Sequence, residues 1–127
     1  MASHLRPFFG YYGGKWRDAP RYPPPEHGII IEPFAGSAGY SLRVGADRDV
    51  VLYESDPILV AVWEYLIHVE PDEILAIPDV PNDGRVADLD IPQAAKHLVG
   101  FWMNRGVATP RPAPGKWMRS GIRPGSF

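Results

Sequence analysis

The sequence predicts an α/β fold of the doubly wound kind, built on a parallel sheet. Two observations carry that prediction. Two β-branched apolar runs, residues 28–34 and 49–54, are separated by a glycine turn and a short helical stretch. A capped apolar helix then follows the second run, which completes a βαβα unit with short links.

Gly28-Ile29-Ile30-Ile31-Glu32-Pro33-Phe34 has little polar alternation, the pattern of a strand covered on both faces. Ala35 to Gly39 is the turn, and Tyr40-Ser41-Leu42-Arg43 reads as a short helix stopped at Gly45. Asp49-Val50-Val51-Leu52-Tyr53-Glu54 is the second buried strand. Asp56-Pro57 starts a helix, because the aspartate caps free N–H groups and proline is tolerated in the first turn. That helix runs to about Val69, and the nearly all-round apolar stretch Ile58 to Ile67 predicts that it is largely buried. Residues 71–90 alternate short apolar pieces with turn residues and read as a linker. Pro92 to Asn104 is the last helix, with Ala94, Leu98, Phe101 and Trp102 at helical spacing. Thr109 to Gly115 is too proline-rich for regular structure.

At 127 residues the chain is one domain's worth, with 45% hydrophobic and 22% charged residues, close to the globular average. Gly and Pro together make 28 of the 127 residues, so turns and loops are abundant. No apolar run approaches the roughly 20 residues of a membrane-spanning helix, and the N-terminus lacks a signal-peptide stretch. The expected compartment is the cytoplasm. Absence of cysteine removes disulfides, thiolate metal sites and cysteine nucleophiles. His4, His27, His68 and His97 show no metal-ligand spacing and read as structural or surface residues, so no metal site is expected.

Charge is uneven. Residues 1–90 carry seven Lys/Arg and all fifteen Asp/Glu, a net of −8, whereas residues 91–127 carry six Lys/Arg and no acid, a net of +6. That asymmetry fits either a polyanion partner at the C-terminal end or a solvated basic tail.

Three features carry chemistry. The glycine turn behind the first strand lets backbone approach a ligand closely. Glu54 ends the next strand 18 residues after Gly36, the position from which a carboxylate accepts hydrogen bonds from both hydroxyls of a ribose. Together these favour an adenosine-containing ligand over a tight bend alone. The turn lacks the G-x-G-x-x-G of dinucleotide folds, and Gly13-Gly14-Lys15-Trp16 fails the phosphate-loop pattern at Phe9 and Trp16. The third feature, Phe8 to Trp16, gathers aromatics and one lysine around a flexible turn, suited either to a flat heterocycle and a carboxylate or to packing on the core.

In order and spacing, these segments resemble the Dam-like family, the D12 class of adenine-specific DNA N6-methyltransferases of bacteria and phages. The resemblance rests on the aromatic-x-Gly-Gly-Lys segment, Glu-Pro-Phe-Ala-Gly-Ser-Ala-Gly about 17 residues later, and Leu-Tyr-Glu-Ser-Asp-Pro at the next strand end. It implies a Rossmann-like S-adenosylmethionine-dependent methyltransferase fold, apparently incomplete, with residues 1–78 as the cofactor-binding part. Residues 79–127 would be a linker and the beginning of a basic target-recognition region. By the same resemblance Tyr11, Gly13, Gly14 and Lys15, then Glu32, Pro33, Phe34, Gly36 and Gly39, then Glu54, contact the cofactor. The family usually has Trp-Ala-Gly-Gly-Lys, so Tyr11 and Tyr12 are variants, and its strand-end acid is usually Asp where this chain has Glu54.

Phe101-Trp102-Met103-Asn104-Arg105 matches the family's aromatic-x-x-Asn-Arg pattern, and Arg105, Arg111, Lys116, Arg119 and Arg123 are the expected contacts to double-stranded DNA. One departure bears on activity. The family holds its target base with Asp-Pro-Pro-Tyr, and no such tetrapeptide occurs; Tyr22-Pro23-Pro24-Pro25 has no acid before it, and Asp56-Pro57 is followed by Ile58. The sequence therefore resembles the N-terminal part of a methyltransferase, a fragment or a shortened relative, expected to be inactive alone, with no catalytic residue to name. Two rival readings remain open: a catalytically inactive cofactor- or DNA-binding relative, and a nucleic-acid-binding module whose glycine turn is purely structural.

Overall fold

The computed structural model describes residues 5–104 and 107–115. Strand β1 (Ile29–Pro33) leads through the glycine turn into helix α1 (Gly39–Val44), strand β2 (Asp49–Tyr53) and helix α2 (Pro57–His68). Helix α3 (Pro71–Leu75) and helix α4 (Gln93–Trp102) follow, with 3-10 turns at Ala19–Arg21 and Val86–Asp88. The expected βαβα order is present. β1 and β2 pair in parallel, with Ile29 opposite Asp49 and Pro33 opposite Tyr53.

Helix α2 begins as its sequence signals require: the Asp56 carboxylate accepts from Ile58 N at 2.9 Å, with Pro57 in the first turn. Helix α1 ends at Gly45, and α4 starts one residue after Pro92.

Three expectations need correction. The strands are not covered on both faces. Ile30 and Glu32 are buried beneath α1, but on the opposite face Ile29, Ile31 and Tyr53 are 59%, 62% and 60% exposed. The described sheet has two strands, and no second helical layer lies over that face among the described residues. Nor is α2 largely buried. Only Leu59 and Val62 are enclosed, because among the described residues α4 is the main helix packed on α2, and Ile67 is 66% exposed. Finally, residues 71–90 are more than a linker. They contain α3, and Val80 and Val86 pack with Val99 and Met103 of the α4 region into a hydrophobic cluster. Short helices and isolated valines leave no periodic signal, which is why the pattern hid them.

The main core joins the N-terminal arm to the helices: Phe9, Leu59, Val62, Leu98 and Phe101 form one buried cluster. Phe9 and Phe101 stack with centroids 5.2 Å apart. The arm is then strapped across α1. Leu5 N donates to Leu42 O, Trp16 Nε1 donates to Leu5 O, and the Arg43 guanidinium lies 4.1 Å from the Trp16 ring centre while donating to Trp16 O. This strap carries the Gly13-Gly14-Lys15 turn to the end of β1.

Candidate functional site

The site forms where β1 and β2 end. Ala35 N donates to Tyr53 O at 3.0 Å, which stitches the glycine turn to the second strand and brings Glu54 beside it. The Glu54 carboxylate then bridges two loops: Oε1 accepts from Gly36 N and Oε2 from Asp56 N, each at 3.0 Å. A carboxylate offers about four acceptor sites, so two remain for a ligand diol.

Lys15 reaches the same turn from the arm. Its ammonium donates to Glu32 Oε2 at 3.0 Å and to Phe34 O at 2.6 Å. Glu32 is 3% exposed, and its other oxygen accepts from Ser41 N at 2.9 Å and Ser41 Oγ at 2.6 Å. A buried carboxylate is thus fully partnered, as its desolvation requires. Two of the lysine's donors are occupied inside the protein, which leaves one N–H on a side chain that is 25% exposed.

The turn is conformationally unusual. Gly36 has φ +53°, and Phe34 and Ala38 also lie in the left-handed region at +51° and +56°. For phenylalanine that region costs about 1–2 kcal/mol. The Phe34 ring gains no burial in exchange, being 83% exposed. Lys15, bonded to the Phe34 carbonyl, holds this conformation in place.

Tyr11 packs on the turn: a β-carbon on Gly36 would stand 3.1 Å from Tyr11 Cδ2. Its ring also lies 5.9 Å from that of Phe101. Burial, then the negative charges of Glu54 and Asp56, push the Tyr11 hydroxyl above its usual pKa, so it is a neutral donor at physiological pH. The arm packs its aromatics on the core, Phe9 within it and Tyr11 against it, and Tyr11 also touches the glycine turn.

The remaining expected residues divide. Gly13 adopts φ +76° with open space around it, and Gly14 N closes the turn onto Tyr11 O. Gly39 admits the arm, because any side chain there would collide with the Trp16 backbone. Pro33 is exposed at the strand end. Arg111 is exposed, its backbone N–H bonded to Gly100 O. Arg105, Lys116, Arg119 and Arg123 lie outside the described residues.

Two participants escaped sequence reasoning. Ser41 anchors Glu32, and Trp63 of α2 donates its indole N–H to Gly36 O at 2.7 Å. A buried indole needs a hydrogen-bond partner, the one signal in the sequence from which Trp63 could have been found. Beside the turn, between α1, β2 and α2, lies a cavity of about 570 Å³ with a mainly apolar wall of Leu42, Val50, Leu52, Val60 and Ile67; Ala38, Glu54 and Trp63 border it on the turn side. This volume lies within the range of small-molecule sites.

Among the described residues, no group of three or more His, Asp or Glu side chains is placed to hold a metal ion, and no helix is long and apolar enough to cross a membrane. The chain matches no family model, no curated protein and no solved structure.

Proposed function

We propose that this chain binds S-adenosylmethionine and forms the cofactor-binding part of a Dam-like DNA adenine N6-methyltransferase with a Rossmann-like fold. The observation that carries the reading is convergence on one turn. Tyr11 and Lys15 from the arm, Glu32 and Phe34 from the first strand end, and Glu54 from the second all meet at residues 34–36. These are the segments that carry the family resemblance.

The residues present fit such a ligand. Glu54 retains acceptor capacity for ribose hydroxyls, the exposed Phe34 ring and the remaining Lys15 N–H would be available to the methionine half, and the adjoining cavity is large enough for the purine ring. The bound cofactor would supply an electrophilic methyl group. Orienting an adenine amine towards it requires hydrogen-bond acceptors of the Asp-Pro-Pro-Tyr kind, and losing that positioning forfeits several kcal/mol of transition-state stabilisation. The 127 residues alone are therefore expected to transfer no methyl group, while the basic residues after position 104 contact DNA phosphates. The missing tetrapeptide also favours a second reading, a cofactor- or DNA-binding protein with no transferase activity in any context.

Photo-crosslinking with labelled S-adenosylmethionine tests the cofactor claim. Label confined to peptides spanning residues 8–16, 32–39 or 52–63, displaced by S-adenosylhomocysteine and not by ATP, is the expected result. No specific label would refute it. Adding an Asp-Pro-Pro-Tyr-bearing polypeptide and assaying N6-methyladenine separates the two readings.

A further inference from the structure

Gly36 is gripped from both sides by side chains distant in sequence. Its N–H belongs to the peptide plane joining residues 35 and 36, and that plane is fixed by Glu54 Oε1 at 3.0 Å. Its carbonyl belongs to the next plane, and that one is fixed by Trp63 Nε1 at 2.7 Å. Fixing both planes fixes φ and ψ at the residue with the widest conformational freedom. Tyr11 closes the remaining side, against the Gly36 α-carbon.

The Trp63 ring has packing of its own, edge-on to Phe8 at 6.3 Å and tilted to Phe9 at 6.2 Å between centroids. Core packing accounts for the ring, and the hydrogen bond to the turn satisfies its N–H. The N–H crosses 27 residues of sequence to reach the Gly36 carbonyl.

We infer that Trp63 is a positioning residue, whose indole N–H, opposite Glu54, presets the Gly36 turn in its left-handed conformation before any ligand arrives. The consequence for cofactor affinity rests on the function proposed above; the clamp itself does not. Without it, a ligand must order the turn as it binds, which lowers affinity by the factor for fixing one backbone residue, about 5- to 30-fold. Preorganisation of this kind raises affinity without adding a contact to the ligand.

The test replaces Trp63 by 3-benzothienylalanine, which keeps the ring shape and lacks the N–H; Trp63→Phe serves as a second variant. Amide exchange at Gly36, read by NMR on the ligand-free full chain, is expected to accelerate about tenfold in both variants, with core amides of α2 and α4 unchanged in the benzothienyl variant. S-adenosylmethionine affinity is expected to fall about 5- to 30-fold. Unchanged Gly36 exchange in the benzothienyl variant overturns the clamp. Faster exchange with unaltered cofactor affinity overturns the positioning role. If the unmodified chain binds no S-adenosylmethionine, the proposed function fails, and the exchange measurement still decides the clamp.

Discussion

Replacing Lys15 by methionine removes the cation from Glu32 and the donor from Phe34 O while keeping a flexible side chain of similar reach. Glu32, 3% exposed, keeps its two bonds from Ser41 but has an oxygen stranded without its partner. Breaking a buried pair from one side costs about 3–5 kcal/mol. Lys15 is 25% exposed, so water reaches the vacated position and the lower end, about 3 kcal/mol, is expected. Glu32→Gln removes the charge yet leaves the ammonium bonded to Phe34 O and partly hydrated, so it should cost only about 1–2 kcal/mol. The double variant holds no uncompensated charge. It should therefore be more stable than the sum of the single effects by about 1–2 kcal/mol. Urea unfolding followed by circular dichroism at neutral pH measures all three, provided the slope with denaturant stays constant. A Lys15→Met cost below about 0.5 kcal/mol, or effects that simply add, would refute the buried-pair account.

Phe34→Gly relieves left-handed strain without losing buried area, so stability should rise by up to about 1 kcal/mol while cofactor affinity falls; a loss of stability would show that the ring has a packing role. Burial, with help from the hydrogen bond to Glu73, pushes the Tyr65 hydroxyl up to about 12. The folded state thus holds this proton more tightly than the unfolded chain, so the stability Tyr65 contributes is intact below pH 10 and lost between about 10 and 12. Tyr65→Phe should flatten stability against pH in that window, and an equally steep decline in the variant would assign it to other groups. If the C-terminal basic residues contact DNA, removing Arg111, Lys116, Arg119 and Arg123 together should reduce the salt dependence of binding, and an unaltered slope would place the DNA surface elsewhere.

The parts of this fold legible in the sequence are those written by local signals. Asp56-Pro57 announced α2, Gly45 ended α1, and the two β-rich runs paired as read. What was hidden depends on tertiary approach. Lys15 and Phe34 are 19 residues apart, Trp63 and Gly36 are 27 apart, and nothing local tells either pair that it will meet. The exposure of Ile29 and Ile31 was illegible for a related reason. An apolar strand shows that a face prefers cover, and only the assembled structure shows whether the described residues provide it. The glycine turn and Glu54 were visible as a pair from spacing alone. That Glu54 also anchors the turn it was expected to face, through Gly36 N and Asp56 N, required the structure.

Glu54 anchors the turn through Gly36 N and Asp56 N. Mutating Glu54 would disturb the turn together with any ligand contact, so the change belongs on the ligand. Calorimetric titration of the intact chain should show saturable one-to-one binding of S-adenosylmethionine. The analogue lacking the ribose 2′-hydroxyl should bind about 1.5–3 kcal/mol more weakly, the range for a hydrogen bond to a charged group. Absence of saturable binding, or equal affinity for both compounds, would contradict the account.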